Sequence, residues 1–201
     1  MGREEVAVYT LWSQFKNGDK DAFASLYQIY ISDLISYGRR VCSDPDLLKD
    51  SIQDLFIELW NSRSQLSRPC SVKFYLLKAL RYKLIRTEKK RNQQNPVNLI
   101  RSEINPSRFD LPVEMAIIDK EIQESKVYLL RRAMKSLSKR QSEVIQLRFY
   151  QGLSNEQIAD LMNLNYQSVS NLMHSALSRI KNNLKAPALI SSLAAAFFLF
   201  F

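Results

Sequence analysis

The amino-acid sequence predicts an all-α protein in which two small helical domains are joined by a flexible linker. Apolar residues recur at three- and four-residue spacing along most of the chain, as they do on the buried face of a helix. Only four glycines and six prolines occur among the 201 residues, which argues against a β-rich fold with many turns. Because 46% of the residues are hydrophobic, the chain can bury proper cores.

The first domain is predicted to span residues 8–92 and to begin with three helices. Gly18-Asp19 interrupts the apolar pattern of residues 8–41 and so separates the first helix from the second. Ser43-Asp44-Pro45 ends the second helix and starts the third, since proline suits the first helical position. In the third helix, from Leu47 to Trp60, the residues predicted to face inward are Leu48, Ile52, Leu55, Phe56 and Leu59.

An acidic stripe, Asp46, Asp50, Asp54 and Glu58, recurs every four residues on another face of the third helix. Like charges at this spacing repel one another by a few tenths of a kcal/mol per pair. The stripe therefore indicates a basic partner surface, with a merely solvated helix face as the alternative interpretation.

A polar loop, Asn61–Ser71, leads into a fourth predicted helix, Val72–Arg91, which is the most cationic element of the chain. Against the single acid Glu88, the helix carries the basic residues Lys73, Lys78, Arg81, Lys83, Arg86, Lys89, Lys90 and Arg91. Aromatic residues interleaved with these cations are typical of single-stranded nucleic-acid binding, where bases stack and phosphates are neutralised. A second interpretation places Phe74, Leu77 and Leu84 in a core beneath a basic outer face, and one helix can serve both roles.

Residues 93–118, which contain Asn95-Pro96, Asn105-Pro106 and Leu111-Pro112, are predicted to be a linker. The second domain is predicted over residues 119–185, with one helix to about Ser136 and another from Ser138 to Tyr150. Gly152 is expected to stop the second of these helices.

Residues 153–180 are predicted to form a helix-turn-helix, the layout that places a second helix in the major groove of DNA. Ser154 and Asn165 are placed to cap its two helices. The inward residues are Ile158, Ala159, Leu161 and Met162 on the first helix and Val169, Leu172, Met173, Ala176 and Leu177 on the second. The groove-facing residues are then Gln167, Ser168, Ser170, Asn171, His174 and Ser175, while Arg148 and Arg179 are expected to contact phosphates.

The charge of the chain favours a polyanionic partner, because 29 Lys and Arg outnumber 20 Asp and Glu. The excess lies in residues 1–92, with 16 basic and 11 acidic groups, and in residues 119–186, with 11 and 6. Residues 93–118 are nearly neutral, which suits two DNA-contacting domains on a tether. A basic surface that serves only solubility is the alternative.

Neither a metal site nor a cofactor is expected, because Cys42 and Cys70 are the only cysteines and His174 is the only histidine. Free thiols in a reducing cytosol are expected, and the N-terminus lacks the apolar core of a signal peptide, so the predicted location is cytoplasmic. The uncharged tail Ala186–Phe201 is shorter than the ~20 residues that span a bilayer. A disordered or self-packed terminus, or a segment recognised by proteolysis, is favoured over a membrane- or partner-binding tail.

Three motifs, in order, resemble bacterial RNA polymerase sigma factors of the sigma-70 class, specifically the extracytoplasmic-function (ECF) group. The first motif is Asp50-Ser51-Ile52-Gln53-Asp54-Leu55-Phe56-Ile57-Glu58-Leu59-Trp60, which is similar to the family helix D-x-x-Q-[DE]-x-F-x-x-x-W. The second is Tyr75-Leu76 leading into the basic helix, and the third runs from Leu137-Ser138 through Gly152-Leu153-Ser154 to Ala176-Leu177. The ECF group is indicated because the sequence shows neither an acidic N-terminal autoinhibitory region nor an intervening domain.

The resemblance implies that residues 8–92 form the region 2 helical bundle and residues 119–185 the region 4 helix-turn-helix of the family. It implies core RNA polymerase as a partner, through its β′ clamp and β flap, with the clamp bound by Asp50, Gln53, Asp54, Phe56, Glu58 and Trp60. The promoter −10 element would be bound by Arg63, Tyr75, Lys78, Arg81, Tyr82, Lys83, Arg86, Lys89 and Lys90. The −35 element would be bound by Arg148, Gln167, Ser168, Ser170, Asn171, His174, Ser175 and Arg179.

By the same resemblance, the loop Asn61–Ser71 would hold a base flipped from the melted −10 strand. Capturing a base that has left the stack lets binding energy open the DNA without ATP. The absence of a Gly-rich Lys-Ser/Thr phosphate loop agrees with this mechanism. A membrane-associated anti-sigma factor is implied as a further partner, and a small-molecule substrate is not.

The sequence departs from the family pattern at a few positions. Tyr82 stands in the −10 helix where many members have Asn, and Asn163 and Asn165 stand in the helix-turn-helix where Gly and Ser are common. The rival interpretation is a stand-alone helix-turn-helix regulator that binds duplex DNA, which would need neither the acidic stripe nor the aromatic-basic helix. A catalytic nucleic-acid protein is not expected, because no carboxylate-metal or nucleophile cluster is present.

Overall fold

The computed structural model describes residues 3–94 and 132–184, and these residues form helices joined by turns and loops. The prediction of an all-α fold is confirmed. The chain divides into two units, Met1–Ile104 and Asn105–Phe201. Most of the predicted linker at 93–118, the predicted helix from Asp119 as far as residue 131, and the tail Ala186–Phe201 lie outside the described residues.

The described part of the first unit is a bundle of α-helices with one short 3-10 helix. Its elements are α1 (Arg3–Lys16), α2 (Lys20–Val41), α3 (Pro45–Asn61), a 3-10 helix (Arg63–Gln65) and α4 (Val72–Gln94). The predicted break after α1 is confirmed, because Gly18 has φ +92°, a left-handed conformation that glycine adopts readily. Asp19 then caps α2, since its Oδ1 accepts from the N–H groups of Asp21 (2.8 Å) and Ala22 (3.0 Å).

The predicted start of α3 is also confirmed. Pro45 occupies its first turn, and Asp44 Oδ1 accepts from the N–H groups of Asp46 and Leu47, both at 3.1 Å. The last helix of the unit is longer than predicted, since α4 continues past Arg91 to Gln94. Residues 93 and 94, which were assigned to the linker, are therefore helical.

The core of the first unit is formed by leucines of α2, α3 and α4 together with aromatic residues of α1. Each inward residue predicted for α3, from Leu48 to Leu59, is buried. α2 and α3 approach closely near Gly38, where an added β-carbon would lie 2.2 Å from Leu48 Cδ1. A side chain at this position would push the two helices apart or force Leu48 to move.

The second unit, over residues 132–184, contains a helical turn at 132–135 followed by three helices. These are α5 (Lys139–Phe149), α6 (Asn155–Met162) and α7 (Tyr166–Leu184). The two predicted caps of the helix-turn-helix are confirmed: Ser154 accepts from Gln157 N–H at 3.2 Å, and Asn165 accepts from Ser168 N–H at 2.7 Å. Gln157 completes a capping box by accepting from the Ser154 N–H at 2.9 Å.

The turn between α6 and α7 is made by Asn163, whose φ of +54° lies in the left-handed region. Asparagine is among the few residues other than glycine that adopt this conformation readily, which explains an Asn where glycine is common in the family. The inward residues predicted for α6 are all buried. On α7, Val169, Met173 and Ala176 are buried, whereas Leu172 and Leu177 are half-buried.

Among the helices at residues 3–94 and 132–184, none is both long enough and apolar enough to cross a bilayer. Over the same residues, no cluster of three His, Cys, Asp or Glu side chains is arranged to hold a metal ion. Both cysteines are free thiols, and burial raises the pKa of the Cys42 thiol while Cys70 is exposed.

Candidate nucleic-acid interface

The acidic stripe of α3 lies on the surface of the first unit, opposite the buried face of the same helix. Its members Asp46, Asp50, Asp54 and Glu58 are all exposed. Glu58 forms an ion pair with Lys83 of α4 at 2.6 Å. Neither Asp50 nor Asp54 has an ion-pair partner among residues 3–94, so the middle of the stripe presents uncompensated negative charge.

The two aromatic residues predicted to bind polymerase lie deeper than the carboxylates. Phe56 is only 5% exposed, and its ring centroid is 4.8 Å from that of Tyr27 and 5.9 Å from that of Phe23. The Phe56 side chain thus lies mostly beneath the surface but lines the groove between α2 and α3, and its contact with polymerase stays a prediction. Trp60 is half-buried against Phe23, at 5.1 Å between ring centroids, and keeps part of its indole accessible.

An apolar groove of about 980 Å³ runs between α2 and α3, next to the acidic stripe. Its wall includes Tyr27, Gln53, Ile57 and Trp60. Tyr27 and Ile57 are 41% and 49% exposed, which is a high value for large apolar side chains. Sequence reasoning missed this groove, although an isoleucine at an outward position of α3 was the available signal.

The helix α4 has a buried leucine face and a cationic outer face. This arrangement agrees with the interpretation that places part of the helix in a core beneath a basic surface. Leu77 and Leu84 are fully buried, whereas Phe74 is only half-buried, beneath Lys78 at 5.8 Å. The residues of the predicted −10 site that are exposed are Lys78, Tyr82, Arg86, Lys89 and Lys90. Tyr82 is 67% exposed in the middle of this group and is thus available to stack on a base.

Other residues predicted for the −10 site are engaged within the protein. Tyr75 is half-buried, with its ring edge-to-face on Trp12 at 5.7 Å, and burial raises its pKa. Tyr75 therefore has a packing contact within the bundle, and its contact with DNA stays a prediction. Lys83 is partly buried and paired with Glu58, and Arg81 is half-buried. Arg63 lies over the Trp60 ring, with its guanidinium carbon 4.5 Å from the ring centroid.

Two further ion pairs fix α4 against the bundle. Lys73 contacts Asp33 at 3.0 Å, and Arg91 contacts the capping residue Asp44 at 2.5 Å. The Arg91 hydrogen bond, followed by the N–H of Leu47, holds the pKa of Asp44 below its ordinary value. Arg91 therefore stabilises the start of α3, while Lys78, Arg86, Lys89 and Lys90 provide most of the remaining exposed positive charge of α4.

In the second unit, the predicted recognition helix α7 presents a polar face. Gln167 and Asn171 are exposed and joined by a hydrogen bond of 3.1 Å from the Gln167 amide to the Asn171 carbonyl oxygen. His174 and Arg179 are exposed on the same helix, and Ser168 and Ser170 are half-buried. A single exposed Asn or Gln amide can make bidentate contact with adenine in the major groove, through its oxygen and its nitrogen.

Two residues predicted for the −35 site have structural partners. The Ser175 hydroxyl accepts a hydrogen bond from the Gln141 amide of α5 at 2.8 Å. Ser175 nevertheless stays exposed, so its predicted contact with the groove stays a prediction. Arg148 donates a hydrogen bond to the Leu153 carbonyl at 3.1 Å. The pKa of Glu156 is lowered mainly by a hydrogen bond with Ser154, and the positive charge of Arg148 lowers it further. Arg148 therefore stabilises the connection from α5 to α6.

Comparisons with known proteins match both units. The family models that match are Sigma-70 region 2, over residues 26–94, and Sigma-70 region 4, over residues 128–180. A Mycobacterium sp. (strain KMS) protein, the ECF RNA polymerase sigma factor SigK, is 26% identical over 181 residues, covering 86% of this chain and 88% of its own. The RNA polymerase sigma factor YlaC of Bacillus subtilis (strain 168) is 21% identical, covering 82% of this chain and 93% of its own.

Two solved structures share the fold. The sigma factor RpoE of Bartonella quintana, in complex with the anti-sigma factor NepR, has a TM-score of 0.59 and 21% identity, and covers 84% of this chain and 99% of its own. CnrH, in complex with the cytosolic domain of CnrY, has a TM-score of 0.57 and 17% identity, and the match covers 90% of this chain and 99% of CnrH. At these identities the structural likeness concerns the fold.

Proposed function

We infer that this chain, which belongs to the ECF group of the sigma-70 family, binds core RNA polymerase and directs promoter recognition, DNA melting and transcription initiation. The observation that supports this function most directly is that two surfaces of opposite charge adjoin each other in the first unit. The acidic face of α3 adjoins the cationic face of α4, and the Glu58–Lys83 ion pair joins them. The second unit adds a helix-turn-helix.

The proposed polymerase contact is the acidic middle of α3 together with the neighbouring groove. Asp50 and Asp54 supply charge for a basic partner, and Gln53 lies between them at the rim of the groove. Ile57 and Trp60 supply apolar area. An interface with a charged edge and an apolar centre fits a coiled coil such as the polymerase β′ clamp. The β flap is the proposed partner of the second unit.

The proposed −10 contact is the exposed cationic face of α4. Lys78, Arg86, Lys89 and Lys90 can neutralise phosphates of a single strand, and Tyr82 can stack on a base. The loop 61–71 precedes α4 and is the proposed holder of the flipped base. The proposed role is that of a binding subunit and not of an enzyme.

The proposed −35 contact is the polar face of α7. Asn171 and Gln167 are the residues proposed to read bases, since their amide groups are exposed and already aligned with each other. His174 extends this face by one turn, and Arg179 is placed for a phosphate. A stand-alone duplex-binding regulator is not favoured, because it would leave the acidic face of α3 and the cationic face of α4 without a role.

We also propose an anti-sigma protein, associated with the membrane, as a regulatory partner. One structural neighbour was solved with the anti-sigma factor NepR, and another with the cytosolic domain of CnrY. An inhibitor of initiation must cover either the acidic face of α3 or a DNA-binding face. Because polymerase and promoter are the proposed partners, the proposed site of action is the cytoplasm.

The test is run-off transcription with the full chain and bacterial core polymerase on a library of A·T-rich promoters. Promoter-specific transcripts are expected only when both the chain and the core enzyme are present. Binding of the free chain to duplex DNA is measured in parallel. Tight sequence-specific duplex binding without any initiation would reject the sigma function in favour of the stand-alone regulator.

A charge reversal tests the polymerase contact separately. Asp50→Lys with Asp54→Lys is expected to abolish binding to core polymerase while the helical circular dichroism spectrum stays unchanged, because both side chains are exposed. The matched control is Gln28→Lys, which adds a lysine to the exposed side of α2. Polymerase binding that survives the double reversal would remove α3 from the proposed interface.

A further inference from the structure

The loop between α3 and α4, residues 62–71, contains one turn of 3-10 helix and otherwise no regular structure. Its middle is accessible, since the side chains of Ser64, Gln65 and Ser67 are exposed and offer hydroxyl and amide groups. A loop of this composition would ordinarily sample many conformations, and ordering each residue costs about 1–2 kcal/mol. The two ends of this loop, however, are held by neighbouring structure.

At the end of the loop nearest α4, the contacts come from α1. The Tyr9 hydroxyl donates a hydrogen bond to the carbonyl of Cys70. The guanidinium carbon of Arg68 lies 4.3 Å from the centroid of the Tyr9 ring, a cation–π contact. One tyrosine thus holds both the backbone and a cationic side chain of this end of the loop.

At the end nearest α3, Arg63 is held by Trp60. Its Nη1 donates to the Trp60 carbonyl at 2.8 Å, and its guanidinium lies over the indole ring. Trp60 in turn packs on Phe15 of α1, at 6.2 Å between ring centroids. Gly18, in the turn after α1, lies beside Arg63, because an added β-carbon there would be 3.8 Å from Arg63 Nε.

A third contact joins α1 to the start of α4, directly after the loop. Trp12 is 2% exposed and meets Tyr75, in the first turn of α4, edge-to-face at 5.7 Å. Tyr9, Trp12 and Phe15 follow one another at three-residue spacing, so they share one face of α1. This face therefore touches the loop, the start of α4 and the end of α3.

We propose that α1 holds the 62–71 loop in the shape that captures the flipped −10 base, with Tyr9 and Arg68 as positioning residues. The proposal rests on the proposed function, which assigns base capture to this loop. A loop that is ordered before DNA arrives does not lose conformational entropy when it binds the base. A fixed shape also presents the hydroxyl and amide groups of the loop at set positions to the captured base, so the Tyr9 and Arg68 contacts are expected to affect base selection and not polymerase binding.

The test uses the full chain, assembled with core polymerase, and fork-junction DNA probes that carry a randomised single-stranded overhang. Bound probes are sequenced to measure the enrichment of each base at each position. Tyr9→Phe keeps the ring and removes the hydrogen bond to Cys70, and it is expected to reduce enrichment at one overhang position roughly fivefold. Affinity for core polymerase is expected to stay at the wild-type value, and the thermal midpoint to fall by no more than several degrees.

Two further variants sharpen the result. Arg68→Lys keeps the charge but loses the planar contact with the Tyr9 ring, so it is expected to weaken enrichment at the same position. Thr10→Val is the matched control, because the Thr10 hydroxyl donates to its own helix, at the Val6 carbonyl, and the side chain is exposed. The control is expected to match the wild-type protein at every overhang position.

The proposal is overturned if Tyr9→Phe and Arg68→Lys select the same overhang bases as the wild-type protein. It is also overturned if Tyr9→Phe lowers enrichment equally at all positions together with polymerase affinity, since that pattern indicates a general loss of structure. A wild-type complex that initiates transcription but selects no overhang base removes this inference alone. A wild-type chain that neither binds polymerase nor initiates removes the proposed function as well.

Discussion

Replacing Gly38 by alanine should weaken the first unit, even though alanine favours a helix more than glycine does. An added β-carbon would lie 2.2 Å from Leu48 Cδ1 and 3.3 Å from both Cγ and Cδ2 of the same side chain. Leu48 is buried between α2 and α3, so it has little room to turn away. Either the Leu48 side chain must adopt another rotamer or α2 and α3 must move apart.

The expected size follows from two opposing effects. Overpacking in a well-filled core costs about 1–3 kcal/mol. Removing a glycine from a helix interior returns about 0.5–1 kcal/mol. The free energy of unfolding of the first unit should therefore fall by about 1 kcal/mol, and by no more than about 2.5 kcal/mol. The variant should also bind core polymerase more weakly, because α2 and α3 together form the groove beside the acidic stripe.

The assay is urea unfolding of the full chain followed by tryptophan fluorescence. Both tryptophans, Trp12 and Trp60, lie in the first unit, so the signal reports on that unit alone. Ser32→Ala, at an exposed position of α2, is the control and should change stability by only a few tenths of a kcal/mol.

Shortening Leu48 should partly compensate for the alanine at position 38. Leu48→Ala alone should cost about 2–5 kcal/mol, but it should cost at least about 0.5 kcal/mol less in the Gly38→Ala background, where it relieves the overlap. If Gly38→Ala unfolds at the same urea concentration as the wild-type protein or a higher one, the close approach of α2 and α3 does not limit packing, and the reasoning is refuted.

Three further predictions concern other sites. Asn171→Ala should reduce discrimination at one −35 base pair by roughly 1–3 kcal/mol in filter-binding assays of the holoenzyme, and Asn182→Ala, exposed farther along α7, should not. Asn163→Val should destabilise the second unit by about 1–2 kcal/mol in thermal unfolding because of its left-handed backbone, whereas Asn163→Gly should be nearly neutral; equal stability of both variants would contradict this. The pKa of Asp44 is lowered in the folded state, chiefly by Arg91, so its contribution to stability is present above its ordinary pKa of 3.8 and is lost as pH falls through the lower, folded-state pKa. Asp44→Asn, which keeps a capping side chain, should therefore flatten the acid branch of a stability–pH curve, and an unchanged branch would exclude this ion pair as a cause.

Local signals in the sequence predicted the α-helices and most of their starts, whereas the end of α4 at Gln94 and the 3-10 helix Arg63–Gln65 were not predicted. Proline at a first helical position, Gly18 at a break and Ser154 at a cap each act through their own backbone neighbours. Such interactions span only a few residues, so they can be identified in the chain without knowledge of the fold. The starts of α6 and α7 could be predicted for the same reason, because Ser154 and Asn165 cap them.

The partners of side chains on different elements could not be predicted in the same way. Periodicity shows which face of a helix is buried, but it does not show what packs against that face. The hydrogen bond from Gln141 to Ser175 spans 34 positions, and the Tyr75–Trp12 contact joins α4 to α1. Phe56 illustrates the conflict directly: the apolar pattern predicted it to face inward, whereas the family motif assigned it to an interface.

The Glu58–Lys83 ion pair makes the two proposed binding events of the first unit thermodynamically linked. A polymerase cation that takes Glu58 leaves Lys83 available to a DNA phosphate, and a phosphate that takes Lys83 leaves Glu58 available to polymerase. Each ligand thereby removes an internal competitor of the other, and the gain in affinity is reciprocal. Because a surface ion pair is worth about 1 kcal/mol at most, and Lys83 is only partly buried, the gain is limited to about fivefold. On the proposed contacts, one carboxylate would thus make the chain a better DNA binder inside the holoenzyme than outside it.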